Sequence, residues 1–112
     1  MNLVYIASPF AGDVENNIKK ARAYCKYTAV CGYVPIAPHL LFPQFLDDNS
    51  LQEREKGIEM GLELLKHCEE VWVFGSVVTD GMKKEIDMAT KLGMPITYRD
   101  WGENQCIFTQ TI

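Results

Sequence analysis

Four short apolar runs, at residues 3–7, 33–37, 71–74 and 94–98, alternate with stretches whose apolar residues recur at helical spacing. Strand-length runs alternating with helix-length segments predict a parallel sheet joined by right-handed crossovers, with helices on both faces. The expected fold class is therefore α/β: a three-layer sandwich around a small parallel sheet of four strands, in the order 2-1-3-4, of flavodoxin or Rossmann type. A length of 112 residues favours one domain over 1–112, and 47% hydrophobic content supplies its core.

The first run ends at Ser8-Pro9, where the proline disfavours further regular structure. Beyond it, Ile18, Ala21, Cys25 and Thr28 or Ala29 mark the buried face of a helix capped by Asp13 and stopped at Gly32. Pro35 interrupts the second run and assigns it to a sheet edge, because it has no amide to give the ladder. Residues 38–49 carry prolines and aromatics and read as an ordered connection over the sheet's C-terminal edge. Ser50 then caps a long helix whose face runs through Ile58, Gly61, Leu62, Leu65 and Cys68. Met60 and Leu64 widen that face beyond what one sheet covers, which points to a homo-oligomer. A third helix opens at Thr79 or Asp80, with Met82, Ile86, Ala89 and Leu92 or Gly93 turned inward.

The net charge of −4 and the dispersed basic residues give no footprint for a nucleic-acid polymer. The cysteines, Cys25, Cys31, Cys68 and Cys106, contain no Cys-x-x-Cys pair and read as reduced thiols, implying a cytoplasmic setting. The chain opens directly into a strand, with no signal-peptide pattern and no apolar run of membrane-spanning length, so a soluble protein beginning at Met1 is expected, with no membrane partner. No two of His39, His67 and the cysteines stand at ligand spacing, so neither a metal nor another cofactor is expected.

In a parallel sheet the loops after successive strands meet at one edge, where such folds bind ligands. That edge gathers Ser8, Pro9, Phe10 and Gly12 after the first strand, His39 after the second, and Thr79, Asp80, Gly81 and Met82 before Glu85 after the third. Glu85 falls beside the apolar stripe of its helix, where an acid needs a reason.

These residues carry a resemblance. Tyr5-Ile6-Ala7-Ser8-Pro9-Phe10, Ala37-Pro38-His39 and Gly81-x-x-x-Glu85 resemble the nucleoside 2-deoxyribosyltransferase-like superfamily, which includes transferases that exchange nucleobases and deoxynucleotide N-glycosidases. With Phe42-Pro43-Gln44-Phe45-Leu46-Asp47-Asp48 and Trp72-Val73-Phe74-Gly75, the pattern is similar to an uncharacterised bacterial and phage domain family within it, over most of residues 2–98. The resemblance implies that Glu85 is a nucleophile toward the anomeric carbon of a nucleoside or nucleotide, positioned by Tyr5. It also implies sites completed by neighbouring subunits. Two positions depart from the pattern. Thr79 stands where the superfamily often has Asp or Ser, and Gly61 and Leu62 stand near the place of its helical aspartate, leaving Asp80 or Glu63 as offset substitutes.

The chemistry suits those residue types. Breaking an N-glycosidic bond develops oxocarbenium character that a carboxylate captures from the opposite face. A buried carboxyl resists ionisation unless donors stabilise its charge, and the Tyr5 hydroxyl and the amides at the helix start are the candidate donors. A second reading has Glu85 merely fastening helix to strand through Tyr5. Ser8 to Gly12 suits a sugar or 5′-phosphate, or else is only a tight turn. His39 reads equally as a ligand contact or as a histidine satisfied by its own loop. Ser8 with His39 as a nucleophile pair lacks the glycine pattern of a nucleophile elbow. Phe42 and Phe45 suit stacking on a base, whereas Trp72, inside a strand, belongs to the core. Arg54 and Glu55, with Asp47 and Asp48, form a lid or subunit contact, or simply a solvated cluster. A non-catalytic nucleotide-binding or sequestering protein is the alternative function.

Overall fold

Side chains alternate across the pleat of a strand, and that period of two divides this molecule into its layers. The computed structural model describes residues 1–99. Strands β1 (Leu3–Ala7), β2 (Val34–Ile36), β3 (Glu70–Phe74) and β4 (Ile96–Arg99) form one parallel sheet in the order β2-β1-β3-β4. Helices α1 (Val14–Val30), α2 (Leu51–Lys66) and α3 (Asp80–Lys91) connect them. The order 2-1-3-4 is the one the sequence predicts, and Pro35 does lie on an edge strand, opposite Val4.

On one face of the sheet Tyr5, Ala7, Val71 and Val73 pack with Leu65 and Cys68 from α2 and its end, and with Met82 and Ala89 from α3. On the other, Val4, Ile6, Trp72 and Phe74 pack with Tyr24 of α1. Trp72 is thereby committed to the α1 layer. Tyr24 lay outside the helical face expected for α1; it is buried because its ring stacks on Phe74 with centroids 4.4 Å apart. Leu92 and Gly93 are both exposed, contrary to expectation. The helix ends at Lys91, and the chain turns through Gly93 at φ +70° toward β4, which lifts both residues off the core. β4 starts two residues later than expected; the Pro95 carbonyl still accepts from Val71 N before the ladder begins.

The helix starts agree with their capping residues. Asp13 Oδ1 accepts from Asn16 N, and Ser50 Oγ from Glu53 N. The connection after β2 is ordered, folding into two single-turn 3-10 helices at Pro38–Leu40 and Phe42–Gln44. Gly75, at φ +96°, turns the chain out of β3, and a Cβ there would meet Pro9 Cδ at 3.6 Å. Cys25, Cys31 and Cys68 are free thiols, while Cys106 lies outside the described residues. Among the described residues no helix is long and apolar enough to cross a membrane.

Candidate functional site

The site begins with how α3 is started. Thr79 Oγ1 accepts from Met82 N at 3.2 Å, and Met82 Sδ accepts from Thr79 N at 3.4 Å. Met82 is buried against the sheet, so this reciprocal cap fixes the rotation of the helix. With that rotation Glu85, in the second turn, comes over the C-terminal half of β1. Tyr5 rises from β1 on the same face, and its hydroxyl donates to Glu85 Oε2 at 2.5 Å.

Burial pushes the Glu85 carboxyl up from 4.5 to about 7, and the Tyr5 bond holds back part of that rise. Tyr5 is itself pushed upward, first by burial and then by the Glu85 charge, so it remains a donor. Of the helix-start amides expected to assist, those of Met82 and Lys83 are engaged by Thr79, and none bonds to Glu85; among the described residues the Tyr5 hydroxyl is the donor Glu85 has, and Oε1 is left without a protein partner.

A second pair lies on the same edge. Ser8, buried at the end of β1, has its Oγ 2.8 Å from His39 Nε2, which the first 3-10 turn carries inward. Burial lowers the His39 pKa from 6.5 to about 4, so the imidazole is neutral near neutral pH. A histidine so hard to protonate is a poor general base, which argues against a serine nucleophile and for a hydrogen-bonding role. The side-chain partner replaces the backbone partner that the alternative reading of His39 supposed.

Both pairs open into one cleft of about 390 Å³. Tyr5, Ser8, Phe10, His39, Thr79, Asp80, Gly81, Met82 and Glu85 all stand in its wall, as does Phe42. Pro9 and Gly12, expected beside them, are not in the wall: Pro9 packs toward Gly75, and Gly12 lies out at the surface turn before α1. Phe45 is 63% exposed and meets the cleft only through Phe42, against whose ring it packs edge-on. Of the two offset acids, Glu63 points to solvent and pairs with Lys66 and His67, while the Asp80 side chain is fully exposed 3.9 Å from Lys83. Neither is a sheltered proton donor. Among the described residues no group of three His, Cys, Asp or Glu side chains is placed to hold a metal ion.

Sequence reasoning missed the opposite wall. Gly57, Ile58, Gly61 and Leu62 of α2 line the cleft, and a Cβ at Gly61 would stand 3.5 Å from the Tyr5 hydroxyl and 3.8 Å from Pro38 Cβ. The four-residue spacing of the two glycines, one helical turn, was the available signal. Asp48, Glu53 and Arg54 also reach the cleft, whereas Glu55 does not.

A family model described as a domain of unknown function, DUF7768, matches residues 2–99. No curated protein matches the chain. A solved structure of a 2-deoxyribosyltransferase from the psychrotolerant bacterium Bacillus psychrosaccharolyticus, described as a biocatalyst for nucleoside synthesis, superposes with a TM-score of 0.72. The match spans 96% of this chain and 77% of that one at 18% sequence identity, a likeness of fold.

Proposed function

The chain belongs to the DUF7768 family, and from that premise we propose that it is an enzyme of the N-glycosidic bond, acting on a nucleoside or nucleotide-derived substrate. The observation that carries this reading is the Tyr5–Glu85 pair: one carboxylate oxygen held by a buried phenol, the other without a partner among the described residues, in the wall of a cleft of about 390 Å³. In the first step Glu85 Oε1 bonds to the anomeric carbon as the C–N bond breaks, and the bonding pair leaves with the base, which takes a proton from solvent. In the second, water or the nitrogen of another base attacks the same carbon and gives up its proton to solvent, while Glu85 departs with its electron pair. The likeness of fold to a 2-deoxyribosyltransferase supports the reading. The site needs no cofactor for this chemistry, and the free thiols suit a reducing, cytoplasmic setting.

The test is release of free base, followed by chromatography, from a panel of deoxynucleosides, deoxynucleotides and nicotinamide-dinucleotide derivatives. Release is expected from the wild type and is expected to fall by roughly a thousandfold or more in Glu85→Gln. Undiminished release in that variant would remove Glu85 from the mechanism.

A second reading, a nucleotide-binding or sequestering protein without turnover, is favoured by one observation: among the described residues the cleft has, besides Glu85, no sheltered acid to protonate a departing base, with Gly61 lacking a side chain and Glu63 turned away. Saturable binding with no release would establish it. In either case the protein is proposed to be a homo-oligomer, because Phe45 and Leu51 near the cleft stand 63% and 69% exposed and Met60 and Leu64 extend the apolar face of α2. A monomer by light scattering would remove that proposal.

A further inference from the structure

In an open parallel sheet all the crossover helices begin at the ligand edge, and their free amides are the fold's ready sites for phosphate. Here each of the three starts carries a side-chain cap on one amide and an acid in its first turn. At α1, Asp13 accepts from Asn16 N, Glu15 follows in the first turn, and Pro9 of the preceding loop has no amide to offer. That loop is locked inward: Asn17 Nδ2 donates to the carbonyls of Phe10 and Ala11, each at 3.1 Å. At α2, Ser50 caps Glu53 N, while the Glu53 carboxylate accepts from Asp47 N at 2.8 Å and the Asp47 carboxylate from Asn49 N at 2.9 Å. At α3, Thr79 caps Met82 N, and Asp80 occupies the first turn. A carboxylate thus stands in the first turn of every helix, where its charge opposes that of a phosphate.

The wall charges point the same way. Asp48, Glu53, Asp80 and Glu85 face the cleft against Arg54 and Lys84, so acids outnumber bases. The innermost polar pair, Ser8 with His39, adds no positive charge and offers only neutral hydrogen bonds, of the kind that suit a sugar hydroxyl or a base edge.

We propose that the cleft selects an uncharged nucleoside and turns away its 5′-phosphorylated counterpart, because the acids in the first turns of the helices and the excess of acids in the cleft wall oppose the phosphate's charge. This rests on reading the cleft as a nucleoside site, and it narrows the substrate class within that reading.

The test is calorimetric titration of deoxyadenosine, thymidine and their 5′-monophosphates into the full chain, with base release measured in parallel. The nucleosides are expected to bind at least roughly tenfold more tightly than the monophosphates at low salt, with the gap shrinking as salt screens the acids. Asp13→Asn, which keeps a competent cap while removing the charge, and Asp80→Asn are each expected to narrow the gap severalfold by improving monophosphate binding. Monophosphates binding as well as the nucleosides or better, or inorganic phosphate competing with either, overturns the selectivity. Nucleoside preference without base release leaves the selectivity standing and removes the enzymatic reading. Binding of neither class overturns both.

Discussion

Tyr5 and Glu85, 80 positions apart in the chain, are joined by a hydrogen bond of 2.5 Å from the phenol to Oε2. The bond lies on the α2–α3 face of the sheet, and it lowers a carboxyl pKa that burial raises. Removing the phenol oxygen therefore leaves the burial effect unopposed. In Tyr5→Phe the rising limb of a base-release pH profile is expected to move to higher pH, with a loss of roughly 1–2 kcal/mol of stability. A profile that stays in place would show that the bond does not govern ionisation of Glu85.

The raised Glu85 carboxyl also makes stability depend on pH in a definite sense. Below 4.5 it is neutral in both folded and unfolded chains; as pH rises toward about 7 the unfolded chain ionises it more readily, so the folded state loses stability. Glu85→Gln, which keeps an acceptor for Tyr5 and cannot ionise, should match the wild type near pH 4.5 and exceed it by roughly 2 kcal/mol at pH 8. Urea denaturation at the two pH values measures the difference.

His39 runs in the opposite direction. Its folded pKa is depressed from 6.5 to about 4, so its neutral form stabilises the fold above 6.5 and that contribution is lost as pH falls toward 4. His39→Gln should flatten the acid limb of the stability profile by roughly 2 kcal/mol across that window. An unchanged acid limb in thermal melts would show that the imidazole titrates freely.

At the start of α3, Thr79→Ala removes the oxygen that accepts from Met82 N. A cost of about 1 kcal/mol is expected, with Thr79→Ser close to wild type. Because the same cap sets the rotation that brings Glu85 to Tyr5, base release should fall in the alanine variant more than in the serine variant.

Gly61 is the position where space and stability oppose one another. A Cβ there makes ordinary contact, 3.5 Å from the Tyr5 hydroxyl, so Gly61→Ala should stabilise α2 by about 0.5–1 kcal/mol. It should also weaken ligand binding by narrowing the cleft beside Tyr5. Tighter binding in this variant would mean that the glycine is not there to make room.

How much of this could be read from the chain follows from the range of the interactions involved. The caps at Asp13 and Ser50 and the edge position of Pro35 depend on bonds and sterics within a few residues, so the local sequence carries them, whereas for α3 it left Thr79 and Asp80 both open and the structure chose Thr79. Strand alternation with helices leaves few ways to close a sheet, which is why the order 2-1-3-4 was legible. The burial of Tyr24 was not, because its cause is a stacked partner 50 positions away, Phe74. Ser8 and His39 could be paired as neighbours at the sheet edge, but not as a neutral hydrogen-bonded pair, since their 2.8 Å distance is set by how a 3-10 turn lies over the end of β1. Which edge residues would meet was a matter of topology, but which would face the cleft depended on helix rotation and loop path. Periodicity placed Glu85 beside a buried stripe; only the packing of α3 on β1 and of α2 against both made it a half-buried carboxyl with one oxygen held and the other without a partner among the described residues, because desolvation and hydrogen-bond geometry belong to the assembled layers rather than to any one segment.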